Sequence, residues 1–315
     1  MTEDIEQLYA DIKKGKENSI ARAISMVEDG TKNALKLMQR VYQNVEPAYM
    51  VGISGPPGSG KSTLTQRIVQ LWRKKEIKVG IIAIDPTSHF SGGALLGDRV
   101  RMNEISTDKG VFIRSMATRG SLGGLNSSIY DTVLLFSLAG FDYIIIETVG
   151  VGQNEIDIVK LADTTIFVTV PEAGDEIQAY KAGLMEVGDI FVVNKADRPK
   201  SHQMVLTIEQ LVSFKKDKDI WTPPVLATNA LKNEGIESIN EEINNHHQYL
   251  KDKDLLQKNR KYVIKTQLIN LMEKALNEKY IEPILNDEEF EKQIELIYEK
   301  KEDPYSSVNK LLSFD

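Results

Sequence analysis

VGISGPPGSGKSTL, residues 51–64, runs from apolar residues through a turn of glycines and prolines to a lysine and a serine. Within it, Gly55 to Ser62 matches G-x-x-x-x-G-K-[ST]. Glycines at such positions let the backbone turn so that successive N–H groups face a phosphate. A helix starting near Ser62 would add its positive dipole end. In this reading Lys61 reaches the β- and γ-phosphates and the Ser62 hydroxyl meets Mg²⁺. Gly58, Ser59, Gly60, Lys61, Ser62 and Thr63 are the nucleotide-binding candidates of this loop. A chance glycine turn is the competing reading. The context disfavours it, because an apolar run precedes the motif and an amphipathic stretch (Leu64, Ile68, Leu71, Trp72) follows.

Working outward, short apolar runs alternate with helical stretches: AYMVGIS, KVGIIAID, GVFIRSM, FDYIIIETVG, TTIFVTV, DIFVVNKAD and PPVLATNA. They are rich in Ile and Val and show little alternation, as strands buried on both faces do. The pattern predicts an α/β fold, a mostly parallel sheet flanked by helices. Helices are expected at 62–74 and 126–139. Residues 4–44 read as three further helices, with Ile5, Leu8, Tyr9 and Ile12 on one stripe. After residue 250 the strand pattern ends, and 251–285 reads as one long helix with Ile264, Leu268, Leu271, Met272 and Leu276 in line. A helical pattern recurs at EEFEKQIELIYEKK. The expected organisation is an N-terminal helical segment (1–46), a nucleotide-binding domain (47–250) and a C-terminal helical arm (251–315).

The base is read from FVVNKAD, residues 191–197, which ends an apolar run in Asn194-Lys195-Ala-Asp197. A carboxylate at Asp197 accepts from the N1–H and the 2-amino group of guanine. Adenine offers it neither, and sites built on such polar pairing discriminate by ~10⁴ or more. The Lys195 stem would lie along the base, Asn194 would brace neighbouring loops, and the amide of Ala230, in ATNALKNEG, could meet guanine O6. Two other apolar runs finish in carboxylates, Asp85 and Glu147. Ligands of doubly wound sheets lie beyond the carboxyl ends of the strands. Both acids therefore belong near the phosphates, where Mg²⁺ takes oxygen ligands; a helix cap or turn is the plainer alternative. Gly150 follows Glu147 closely, as would a glycine sensing a γ-phosphate, with Gln153 and Glu155 nearby to place water. Asp98 lies in SGGALLGDRVRM, a switch candidate or a surface loop.

The bulk numbers set limits. The chain has 315 residues and a net charge of −7, which speaks against general nucleic-acid binding. Without cysteine there are no disulfides, thiolate metal sites or cysteine nucleophiles. The acidic start lacks the apolar core of a secretory signal, and the apolar runs are too short to span a bilayer. A cytoplasmic protein without membrane partners is expected.

Together GPPGSGKST, IDPTSHFSGGALLGDRVRM, MATRGSLGGL, ETVGVGQNE, PEAGDEIQAYKAG and NKAD, in this order, resemble the MeaB/ArgK-like GTPases, which include the methylmalonic aciduria type A proteins. The likeness spans almost the whole chain. It implies a P-loop GTPase of the SIMIBI class, using Mg²⁺ and acting as a metallochaperone of an adenosylcobalamin-dependent acyl-CoA mutase such as methylmalonyl-CoA mutase. Such a protein gates cofactor loading and protects or repairs the mutase. The resemblance also implies homodimers with contacts from the C-terminal arm. By position it gives catalytic roles to Lys61, Glu147, Asp98 and Lys181, and metal-site roles to Ser62, Asp85, Asp98 and Glu147. PEAGDEIQAYKAG corresponds to a third switch, with Asp175, Glu176 and Lys181 as responding residues. Ser121 and Asn229 stand where relatives usually carry His and Ser.

Slow intrinsic turnover, raised by a partner that orders the switches, follows from the lack of an obvious catalytic glutamine or arginine finger. Arg99, Arg101, Arg114 and Arg119 are expected in mobile segments as surface or partner contacts. Direct cobalamin binding is not expected, since D-x-H-x-x-G is absent and His89 is wrongly spaced from Asp85. A nickel-insertion GTPase and a nucleotide-dependent kinase or transport ATPase are the alternatives. The former would use His-rich segments, and the adjacent His246 and His247 are expected to be solvated.

Overall fold

The structure is a computed structural model and describes residues 5–85, 104–117, 124–148, 161–174, 188–213 and 221–312. Its centre is a seven-stranded sheet, all of whose pairings are parallel, as the unalternating apolar runs require. The strands are β1 (Tyr49–Ser54), β2 (Val79–Asp85), β3 (Val111–Ala117), β4 (Tyr143–Glu147), β5 (Thr164–Thr169), β6 (Ile190–Val193) and β7 (Val225–Ala227), in spatial order β3-β2-β4-β1-β5-β6-β7. Strand β1 thus has β4 on one side and β5 on the other, and the chain leaves it into the phosphate-loop motif. Glu147 at the tip of β4 pairs in register with Ile53 of β1, which brings the acid beside that motif. Ala83 is level with Glu147, so the backbone of Asp85 lies two residues further on, at the end of β2.

Helices α1 (Ile5–Lys13), α2 (Glu17–Glu28), α3 (Lys32–Asn44), α4 (Lys61–Arg73) and α5 (Gly124–Leu138) fall within a few residues of the predicted stretches. Thr31 starts α3 by accepting a bond from the Ala34 amide at 3.1 Å. The stripes of α1 to α3 bury Ile12, Ile20, Ile24, Leu37 and Val41 in the same cluster as Phe136 of α5 and Ile82, Ile144 and Ile146 of the sheet. The N-terminal helices therefore complete one layer of the sheet. Arg114 lies in β3, three-quarters buried, where it pairs with Glu28 and donates to Ser25 Oγ of α2 at 3.1 Å. The expectation that Arg114 is a mobile or partner contact is thereby corrected: it fastens α2 to the sheet edge.

The other face of the sheet is covered by α4 and by α7 (Ile236–Asp252), with Leu64, Ile68, Trp72, Ile239 and Ile243 buried together. Helix α6 (Ser201–Ser213) closes a smaller cluster against β6 through Met204, Ile208 and Val212. His246 of α7 is buried, not solvated: its Nδ1 lies 2.8 Å from Thr164 Oγ1, which in turn is 2.5 Å from the Tyr49 hydroxyl. Burial, with the neighbouring His247, lowers the His246 pKa to about 4. The charged sequence of α7 hides this, because its apolar face is a narrow stripe.

By contact density the chain divides into Met1–Val263 and Ile264–Asp315. Helix α8 (Leu255–Leu276) crosses the division. In its first part Arg260 grips Asp163 with Nε at 3.1 Å and Nη2 at 2.9 Å, while Asp163 also accepts the Met50 amide at 2.9 Å. The long helix expected over 251–285 is interrupted: a π turn at Asn277–Ile281 leads into α9 (Glu282–Leu285). Helices α10 (Glu288–Tyr298) and α11 (Pro304–Leu312) follow, joined by Ser307 Oγ donating to Gln293 Oε1 at 2.9 Å. Among the described residues no helix is long and apolar enough to cross a membrane.

Candidate nucleotide site

Beyond the carboxyl ends of β1, β4 and β6 lies a cavity of about 520 Å³. Gly58, Gly60, Lys61, Ser62 and Thr63 form one wall, Glu147 a second, and Asn194, Lys195 and Ala230 a third. Ser59, within the loop, is fully buried.

Two glycines make this loop possible. Gly55 has φ +134°, and a Cβ there would lie 1.9 Å from the Val168 carbonyl oxygen. Gly60 has φ +92°, and a Cβ there would come within 2.4 Å of Asn194 Nδ2. No L side chain fits either place. The loop can therefore press against β5 at Val168 and against Asn194. Helix α4 begins at Lys61, and its first residues Lys61, Ser62 and Thr63 line the cavity with the helix N-terminus. The Lys61 ammonium is held within the loop, donating to Gly55 O at 2.7 Å and Pro56 O at 3.1 Å.

Glu147 is 4% exposed and accepts two hydroxyl bonds from α4. Ser62 Oγ donates to Oε1 at 2.5 Å and Thr65 Oγ1 to Oε2 at 2.7 Å. The acid at the β4 tip and the serine after the loop lysine are thus direct neighbours. Thr65 escaped sequence reading; lying one turn beyond Ser62, it gave no signal until Glu147 was placed over that face.

Asn194 links three segments. Its Nδ2 donates to Ser59 O at 2.8 Å, and its Oδ1 accepts from the Ala230 amide at 3.1 Å and from Thr228 Oγ1 at 3.3 Å. The bracing expected of Asn194 is present. The Ala230 amide, expected to face guanine O6, is engaged with Asn194. Lys195, at φ +57°, donates to Gly58 O at 2.7 Å. Asp197 is fastened by Asn229, whose Nδ2 donates to Asp197 Oδ1 at 2.9 Å. Asn229 is itself 4% exposed and anchored by paired backbone bonds with Glu234 at 3.1 and 3.0 Å. Its unusual residue type, visible in the sequence, is what reaches the aspartate. Asp98, Gly150 and Lys181, with Gln153, Glu155, Asp175, Glu176, Arg99, Arg101 and Arg119, lie outside the described residues, and only the backbone of Asp85 is described.

With this geometry in view, comparison with known proteins is direct. The family described as "Methylmalonyl Co-A mutase-associated GTPase MeaB" matches residues 20–283. The chain belongs to the MeaB family. A Pyrococcus abyssi relative is 44% identical over 311 residues, 98% of this chain and 96% of its own length. GTPase ArgK of Escherichia coli is 34% identical over 72% of this MeaB-family chain and 71% of its own. The mitochondrial methylmalonic aciduria type A homolog of Mus musculus is 33% identical over 74% of this chain and 60% of its own. The crystal structure of LAO/AO transport system kinase superposes with a TM-score of 0.72, covering 98% and 97% of the two chains at 24% identity, which shows the shared fold. As a MeaB-family GTPase the chain hydrolyses GTP.

Proposed function

We propose that this GTPase is a nucleotide-driven chaperone of an adenosylcobalamin-dependent acyl-CoA mutase, gating cofactor loading and protecting or repairing the mutase. The observation that carries the reading is the family match over residues 20–283, whose description names methylmalonyl-CoA mutase as the associated enzyme. GTP enters the cavity with its phosphates on the amides of Gly58 to Thr63 and its base toward Lys195 and Asp197. Lys61, released from the Gly55 and Pro56 carbonyls, meets the β- and γ-phosphates.

Ser62 Oγ and the Glu147 carboxylate, 2.5 Å apart at the end of the loop, are hard oxygen donors that suit Mg²⁺. They would hold the ion directly or through water, with Asp85 and Asp98 as further acids. Bound there, Mg²⁺ supplies charge neutralisation at the phosphates. The chain's own part is positioning: backbone amides orient the triphosphate, Lys61 offsets its charge, and Glu147 keeps the Ser62 hydroxyl aimed. Gly150, Lys181 and the switch segments around Asp98 and 171–183 are proposed to respond to the γ-phosphate and the mutase.

A homodimer built through Ile264–Asp315 belongs to the same proposal. That unit exposes Leu268, Met272, Leu276, Tyr298 and Tyr305, each at least half exposed, apolar side chains that a second copy would cover. A cytoplasmic setting, without nucleic-acid or membrane partners and without cobalamin bound to this chain, completes the reading.

The test is single-turnover GTP hydrolysis with and without the apo mutase. A rise of at least ~10-fold is expected when the partner orders the switches. Equal rates with a mutase that binds the GTPase would overturn the gating role.

A further inference from the structure

We propose that Arg67 is a positioning residue for the base-binding loop, fixing from the phosphate-loop helix the segment that reads the purine. The observation is a two-sided grip on one residue. The Ala230 amide donates to Asn194 Oδ1 at 3.1 Å, and the Ala230 carbonyl accepts from Arg67 Nε at 3.1 Å. Ala230 is 2% exposed and its bond to Asn194 is buried, while the bond from Arg67, whose side chain is a quarter exposed, is partly buried. With its N–H and C=O both engaged, the backbone at Ala230 cannot turn without breaking one of them.

What flanks Ala230 gives the grip its purpose. On one side, Asn229 holds Asp197 Oδ1 at 2.9 Å. On the other, Leu231 is 75% exposed at the lip of the cavity. A loop free to rotate at Ala230 would carry both away from a bound base.

Arg67 suits the task better than a neutral donor would. A guanidinium makes a charge-assisted bond to the carbonyl. Its fork leaves a second nitrogen to be oriented, and Nη1 donates to Gln70 Oε1 at 2.9 Å. Glu104 Oε2 lies 3.9 Å from Nη1 and accepts from Gln66 at 2.6 Å and Gln70 at 3.1 Å. The arginine is therefore pre-aimed by its own helix. Because α4 also carries Ser62 and Thr65, the phosphate and base halves of the site are joined through one rigid element.

This inference rests on the reading of Asp197 as the guanine-binding residue, and the experiment separates the two. Calorimetry gives the GDP affinity and the affinity for inorganic tripolyphosphate of the parent, Arg67→Met and Arg67→Lys. The tripolyphosphate probes the phosphate loop alone. Arg67→Met is expected to weaken GDP about tenfold, the factor of one lost charge-assisted bond, and to leave tripolyphosphate within about twofold. Arg67→Lys, which keeps a cationic donor and serves should the Met variant fail to fold, is expected to fall between. An unchanged GDP affinity, or an equal loss for both ligands, would overturn the positioning role. A parent that binds ADP as well as GDP would instead overturn the base reading on which it stands.

Discussion

At the scale of single residues, the site is an arrangement of side chains that hold other side chains. In the proposed reading Asp197 recognises the base only if its carboxylate is correctly turned, and Asn229 holds one of its oxygens at 2.9 Å. Asp197→Asn should lower the preference for GTP over xanthosine triphosphate by at least ~10², measured by competition binding. Asn229→Ala should weaken GDP more than IDP, since a swivelling carboxylate loses its paired contact to the 2-amino group, whereas Asn229→Ser should recover part of the difference. Equal losses for GDP and IDP would count against this orientation. Glu147 is held by Ser62 and Thr65 in the same manner. Glu147→Gln is expected to raise the Mg²⁺ concentration needed for half-maximal GTP binding by about tenfold, the loss of one charged oxygen partner. Lys61, Ser62, Glu147, Asn194 and Lys195, which line one cavity, were legible in the sequence because the proposed chemistry fixes both their type and their spacing. Thr65 and Arg67 were not, and Asn229 showed only as an unusual residue type, because a supporting contact needs only a donor of the right reach, and its partner lies 32 to 163 positions away.

At the scale of elements, strands were easier to read than the surfaces they share. Interior parallel strands are buried on both faces and mostly apolar, so they could be found as short runs rich in Ile and Val; edge strand β7 is only partly buried. The stripe of an amphipathic helix shows that a face is buried but not against what. Helices α1 to α3 therefore read as a separate segment, although their apolar face shares a core with α5 and the sheet. Ile24→Ala, at a fully buried position in α2, should cost about 2–5 kcal/mol in the unfolding of the whole first unit. A local loss, with unfolding of the sheet unchanged, would contradict the shared core.

Helix α7 supplies a pH test. His246 titrates at about 4 when folded and near 6.5 when unfolded, because burial disfavours its charged form. Between these values the unfolded chain binds the extra proton, so this contribution to stability is lost as pH falls from 6.5 towards 4. The full cost is about 3 kcal/mol. Asp189, 3.6 Å from His246 Nε2, has its pKa raised to about 6 by burial and contributes in the opposite sense. The comparison must therefore be between parent and His246→Gln. The variant's denaturation midpoint should decline less than the parent's between pH 7 and 5; parallel slopes would contradict a buried neutral imidazole.

At the scale of the whole molecule, the phosphate loop, the acid at the tip of β4 and the base-reading segment meet because the strand order sets β4 and β5 on either side of β1. That convergence was legible from motif order alone. The fate of Ile264–Asp315 was not, since its helices expose apolar residues whose partner is not encoded locally. Leu268→Glu with Met272→Glu, both more than half exposed, should shift the protein from dimer to monomer in sedimentation without weakening GDP binding. A parent that is already monomeric at micromolar concentration would contradict the proposed contact. The most direct test of the account as a whole is calorimetric titration of the Mg²⁺-loaded protein with GTP and ATP analogues that resist hydrolysis. Saturable uptake of the guanosine analogue, at least ~10³-fold tighter than the adenosine one, is predicted. Equal affinity, or a preference for adenosine, would contradict it.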